Sequence, residues 1–239
     1  MSEIGTIIDS LDESTPAIPD SPTPAPNIGS IATLILGESG SGKTTSLRNL
    51  DPRTTLLIQP IRKPLPFRGT WPPIKHGAGS VLVTDDAIRI EAAIEHAHEI
   101  GKTIVVVDDF QYIMANEFMR RAREKGFDKF SEIGQNGWTV MRAASNAASS
   151  VRVYVMAHVV MIDGTLKAKT VGKMIDEKVV VEGMFTVVLR TLCSEGNHYF
   201  ATRNSGADTV KAPIGMFEND LIDNDLAVVD KTICEYYRV

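Results

Sequence analysis

Ile31-Ala32-Thr33-Leu34-Ile35-Leu36-Gly37-Glu38-Ser39-Gly40-Ser41-Gly42-Lys43-Thr44-Thr45 is an apolar, β-prone run that empties into the pattern G-x-x-x-x-G-K-[ST], the Walker A pattern. A buried strand ends at Gly37, and small residues let the backbone curl until successive N–H groups point inward. A helix beginning near Lys43, with Thr45-Ser46-Leu47-Arg48-Asn49-Leu50 as its body, would aim its positive end at the same point. The stretch therefore predicts a main-chain cradle for a nucleotide's phosphates, formed by Gly37, Glu38, Ser39, Gly40, Ser41, Gly42, Lys43, Thr44 and Thr45. Lys43 would neutralise the β- and γ-phosphates, and the Thr44 hydroxyl would ligate Mg²⁺.

A second stretch, Thr103-Ile104-Val105-Val106-Val107-Asp108-Asp109-Phe110, has five consecutive β-branched residues. Such a run reads as a strand buried on both faces, as in a parallel sheet. Two carboxylates at its C-terminal end lie where parallel sheets bind ligands. Asp108 is the expected Mg²⁺-side acid, the Walker B carboxylate. Asp109 would polarise the attacking water or cap the following helix. The strand Ser150–His158 ends in His158, placed either to bond the γ-phosphate or the attacking water, or simply to satisfy nearby backbone. The catalytic candidates are thus Lys43, Asp109 and His158, and the metal candidates Thr44 and Asp108. The expected fold is α/β, a central, mostly parallel sheet flanked by helices.

The remaining segments are read around this frame. Residues 1–29 carry five prolines between Ser10 and Pro26, five acids and no Lys or Arg, and are expected to be a disordered tail. Residues 30–239 then form the folded domain. Ile4-Gly5-Thr6-Ile7-Ile8 within the tail is either a partner-docking motif or featureless. Thr54–Gln59 reads as a strand, followed by a proline-rich loop to Lys75. That loop carries Arg62, Lys63, Arg68 and Lys75 beside Phe67 and Trp71, a mix suited to nucleic-acid contacts unless the aromatics fold back on the domain. Ser80–Val83 reads as a short strand, with Thr84 capping a helix that ends at Gly101. His96 and His98, two apart on that helix, face different ways and read as solvated. From Gln111 to Ala148 the pattern is helical, interrupted near Gly126 and at Gly134 and Gly137, with Trp138, Met141, Ala144 and Ala148 as a buried face. Asp163 to Lys173 reads as a flexible, lysine-bearing loop. Met184–Leu192 and His198–Arg203 make a C-terminal β-hairpin of structural role, and Asp230–Tyr237 a short helix.

Composition sets limits. Net charge is −5 over 239 residues, but the five acids of the tail account for it, so the rest is balanced and global charge announces no nucleic acid. Cys193 and Cys234 lack the spacing of a zinc site or a disulfide framework. No apolar run is long enough to span a bilayer, and the expected location is a reducing cytoplasm. No N-K-x-D motif occurs, which argues against a GTPase.

A phosphate loop, a strand ending Asp108-Asp109 and a later strand ending His158 resemble the RecA-like branch of the P-loop ATPases. The chain also resembles phage-encoded ATP-binding proteins of the Sak type, of the AAA family. That likeness rests on Lys63-Pro64-Leu65-Pro66-Phe67, Asp108-Asp109-Phe110-Gln111-Tyr112, Gly172-Lys173-Met174 and Val181-Glu182-Gly183-Met184-Phe185. It implies an ATP- and Mg²⁺-dependent ATPase, a homo-oligomer, acting in single-strand annealing and recombination, in a bacterial host's cytoplasm. It further implies contact with single-stranded DNA through loops near residues 114–130 and 159–174, and a single-strand binding protein as partner. Lys167, Lys169 and Lys173 would reach DNA phosphates or a neighbouring subunit's nucleotide. The family's catalytic glutamate after the second strand is absent, since Gln59-Pro60-Ile61 stands there. Either Asp109 takes the base role, or hydrolysis is slow and ATP serves assembly on DNA. Two other readings compete: a small-molecule kinase with Arg120, Arg121 and Arg123 as a lid, and a nucleotide-dependent assembly factor recruited through the tail.

Overall fold

The computed structural model describes residues 30–76, 78–171, 175 and 178–239. Residues 1–29, where a disordered tail and a candidate docking motif are expected, and Gly172-Lys173-Met174 lie outside the described residues, and so does the role expected of Lys173.

Alternation within each apolar strand assigns side chains to two layers. On β1 (Ile31–Leu36), Ala32, Leu34 and Leu36 enter one core, while Ile31 and Ile35 enter another on the opposite face. The first core is closed by the helices α1 (Ala87–Glu95), α2 (Gln111–Arg120) and α3 (Asp128–Asn146). The second is closed by α4 (Leu226–Tyr237), by Leu47 and Leu50, and by Phe67 and Trp71. Those two rings meet edge-on at 6.2 Å, so the aromatics of the proline-rich loop fold back on the domain.

The strands are β1, β2 (Thr55–Gln59), β3 (Val81–Val83), β4 (Ile104–Val107), β5 (Arg152–Ala157), β8 (Val187–Ser194), β9 (Asn197–Ala201) and β10 (Leu221–Asp223), with β6 (Val159–Ile162) and β7 (Thr165–Ala168) apart. They form one sheet in the order β10-β9-β8-β1-β5-β4-β2-β3 and a separate β6–β7 pair. From β8 to β3 every pairing is parallel, and β9 and β10 add an antiparallel edge. One strand separates β1 from β4, the order of a RecA-like α/β fold. The register pairs Leu36 with Ala157 and Val107 with Val155. Gly37, Asp108 and His158 therefore leave the sheet at the same carboxyl edge.

Several expectations need correction. The helix after the phosphate loop is a six-residue 3₁₀ helix, Thr44–Asn49, and Leu50 turns extended (φ −71°, ψ 144°) ahead of Asp51-Pro52. So short a helix has little dipole, which leaves the loop's own N–H groups and Lys43 to attract an anion. Asp86, not Thr84, caps α1, accepting from Ile88 and Arg89 N–H. α3 runs straight through Gly134 and Gly137. A Cβ at Gly137 would press 2.7 Å from Met114 Sδ, so this glycine permits α2 to pack closely rather than breaking a helix. Trp138 leaves the expected buried face: it is 40% exposed and lies against Arg142, and Ile133 and Val140 are buried instead. The first part of the lysine-bearing loop, residues 163–168, is instead the turn and second strand of the β6–β7 hairpin, turned at Asp163 (φ 48°) and Gly164 (φ 78°). Two positive φ values at an Asp-Gly pair are what a type I′ turn requires. The C-terminal helix starts at Leu226, four residues before the expected Asp230.

Candidate functional site: a phosphate loop facing paired carboxylates

Gly37 follows β1 directly, and its N–H donates to the Ala157 carbonyl at 3.1 Å. The loop then turns at Gly40 (φ 78°) and Gly42 (φ 103°), conformations that glycine alone adopts without strain. β8 braces it from behind. Because Arg190 pairs with Leu36, Thr191 comes level with Gly37, and its hydroxyl shares a 2.5 Å hydrogen bond with Ser41 Oγ. A Cβ on Gly37 would overlap that threonine. His198 Nδ1 lies 3.0 Å from the Ser41 carbonyl, so β9 braces the loop as well.

The candidate side chains converge at this edge. Thr44 Oγ1 donates to Asp108 Oδ1 (3.1 Å) and Oδ2 (3.0 Å). Lys43 is buried and donates to the Gly37 (2.7 Å) and Glu38 (2.9 Å) carbonyls. Burial lowers its pKa, against the pull of Asp109 and Asp108. Lys63 reaches in from the proline-rich loop, 3.3 Å from Asp108 and hydrogen-bonded to Asp109. Asp109 Oδ1 also lies 3.3 Å from His158 Nε2. Burial and the neighbouring Asp109 charge raise the Asp108 pKa despite Lys63 and Thr44. Burial also pushes Asp109 upward, but hydrogen bonds from His158 and Lys63 outweigh it and bring its pKa down to about 2.

A cleft of about 410 Å³ runs between the loop and this group, walled by Lys43, Thr44, Lys63, Pro66, Asp109 and His158 among others. Ser39 and Gly40 are exposed at its lip, Glu38 is exposed beside them, and Thr45 is half-buried. A further recess of about 300 Å³ opens past Thr45, walled by Arg48, His198, Tyr199 and Asn224. Asn224 is 3% exposed, and neither its amide nitrogen nor its oxygen has a partner among the described residues.

The donor set fits Mg²⁺, a hard cation that prefers oxygen ligands and is commonly shared between one or two protein groups and substrate phosphates. Thr44 and Asp108 supply a hydroxyl and a carboxylate in mutual contact. Among the described residues no group of three His, Cys, Asp or Glu is arranged to hold a metal unaided.

No protein-family model matches this sequence, and no curated protein matches it. Among solved structures, a KaiC-like protein from the hyperthermophilic archaeon Pyrococcus horikoshii is similar at 12% identity and a TM-score of 0.37, over 72% of this chain and 77% of that one. The fold assignment rests on the strand order given above.

The remaining candidates lie elsewhere. Arg120 pairs with Asp85, and Arg121 with Glu117, Glu124 and Glu132. Lys129 is buried against the Arg121 and Glu124 carbonyls. The basic segment 114–130 is thus largely spent on internal bonds, and two arginines of the lid expected for a kinase are held in ion pairs. Phe127 is 87% exposed, and Arg123 and Lys125 beside it are exposed. Lys167 is exposed on β7 and Lys169 is exposed just after it. No helix among the described residues is long and apolar enough to cross a membrane. Sequence reasoning missed Lys63, Thr191, His198 and Asn224 as members of this neighbourhood. The polar pair Arg190-Thr191 interrupting the apolar residues of β8 was a signal, but only the register with β1 tells what Thr191 faces.

Proposed function

We propose that this chain is an ATPase that binds MgATP in the cleft. The carrying observation is the Thr44–Asp108 contact beside Lys43, at the carboxyl edge of a parallel sheet. Lys43 and the loop's N–H groups hold the phosphates, Thr44 and Asp108 hold Mg²⁺, and bound Mg²⁺ would neutralise charge on the phosphates. The recess past Thr45 takes the base, where the Asn224 amide offers a donor and an acceptor. Asp109, ionised and weakly basic with its pKa near 2, suits orienting a water better than abstracting its proton. That favours slow turnover, with His158 reporting nucleotide state.

The ATP-bound form, a homo-oligomer, binds single-stranded DNA and promotes annealing or strand pairing. Support comes from Phe127, exposed like Arg123 and Lys125 before it, since an aromatic face stacks on bases of any sequence. It comes also from the exposed Lys167, which pairs with the exposed Val160 on the neighbouring strand, and from the exposed Lys169 just beyond it. Calorimetry should show ATP uptake by the full chain that Lys43→Ala abolishes. Filter binding of labelled single strands should strengthen with ATP and weaken steeply with salt. No ATP uptake by the parent protein would refute the nucleotide site, and salt-insensitive or absent strand retention would refute the DNA role alone.

A further inference from the structure

The sequence places Lys63 among the cations of a proline-rich loop and gives it no role at the acid pair. In the structure its ammonium stands between the two acids of the cleft, 3.3 Å from Asp108 Oδ2 and hydrogen-bonded to Asp109 Oδ2. Asp108 Oδ2 is also an oxygen that accepts from the Thr44 hydroxyl. Any cation held by Thr44 and Asp108 therefore competes with Lys63 for one oxygen atom. The Asp108 side chain is fully buried, so little solvent screens the repulsion between two cations there. The flexible four-carbon stem lets the ammonium swing away. Its main chain is better held: the Lys63 carbonyl accepts from Gln59 Nε2 at 3.3 Å, and Pro60 and Pro64 restrict the backbone nearby. The same cleft wall carries Lys43, Asp109 and His158, so a terminal phosphate lies within the stem's reach.

We infer that Lys63 is a catalytic cation: it guards the Asp108–Asp109 pair against divalent metal and, once metal binds, passes to the terminal phosphate. The inference rests on the nucleotide reading above. In hydrolysis the oxygen of water bonds to the γ-phosphorus while the bond from that phosphorus to the β–γ bridging oxygen breaks. The electron pair leaves on the bridging oxygen as ADP, and the proton of water passes to the phosphate product or solvent. Lys63 gains and loses no proton, and its charge offsets the negative charge on the terminal oxygens.

The test begins with Mn²⁺ alone, titrated into the nucleotide-free full chain and followed by electron paramagnetic resonance. Lys63→Met is expected to bind Mn²⁺ about tenfold more tightly than the parent, because a competing charge is gone. Lys63→Arg, which keeps that charge, should stay within about threefold of the parent. With MgATP, Lys63→Met should lower kcat about 100-fold. Unchanged or weaker Mn²⁺ binding by Lys63→Met, no Mn²⁺ binding by any of the three proteins, or an unaltered kcat would each overturn the inference. ATP uptake that is lost in Lys43→Ala but kept in Lys63→Met would leave the nucleotide reading standing even then.

Discussion

Asp109 adopts φ 59°, a left-handed conformation uncommon outside glycine and tolerated best by Asn and Asp. The backbone turn lets the chain leave β4 and enter α2 with the Phe110 N–H donating to the Met156 carbonyl. It also sets the Asp109 carboxylate between Lys63 and His158. A carboxyl whose folded pKa, about 2, lies below its ordinary value contributes stability that is present above about pH 4 and lost as pH falls toward 2. Asp108, shifted the other way, opposes that trend. The melting-temperature gap between the parent and Asp109→Asn should therefore shrink as pH drops from about 4 to about 2. Calorimetric melts in that range check it, and a gap that stays constant would show that the carboxylate is not held as described.

At the scale of elements, the C-terminal helix does more than close a core. Asp230 on α4 accepts from Arg152 Nε (2.9 Å) and Nη2 (2.8 Å) and from the buried Tyr154 hydroxyl (2.6 Å). Both partners are on β5, the strand between β1 and β4, so this cluster pins α4 to the middle of the sheet. Burial, then the Asp230 charge, holds the Tyr154 hydroxyl far above its ordinary pKa, so it remains a donor. Asp230→Ala strands a largely buried guanidinium, and such losses cost about 3 to 5 kcal/mol. Urea unfolding measures it, and a loss below about 1 kcal/mol would mean the pair behaves like a surface ion pair. The hairpin β8–β9 plays a comparable part, since Thr191 and His198 brace the phosphate loop. The reading of that hairpin as structural describes its strands well and misses what they support.

For the whole molecule, a ligand bound only by the folded state stabilises it by mass action, by about 2.7 kcal/mol at a hundred times Kd. In a chain of this size that corresponds to a rise in Tm of about 5 to 10 °C with MgATP. Lys43→Ala should melt at the same temperature with and without the nucleotide. The strands β1, β2, β4 and β5 and the hairpin β8–β9 were legible because alternation, β-branching and turn residues act over a few neighbours. The phosphate loop was legible for the same reason: its glycines and Lys43-Thr44 are contiguous. Asp163-Gly164 signals a turn, yet the segment reads from sequence as a flexible loop, and the β6–β7 hairpin was missed. What lay beyond the sequence was which distant residues meet. Ser41 and Thr191 are 150 positions apart, and Lys63 and Asp109 are 46 apart. Sequence alone determined that a glycine-rich loop of the Walker A pattern and a strand-end acid pair exist. Only the tertiary structure decided that Lys63 sits between those acids, that Thr191 stands behind Gly37 and that Asn224 borders Thr45. Such contacts depend on strand order and register, and these are fixed by the packing of the entire sheet between its two helical layers, not by any local preference of the chain.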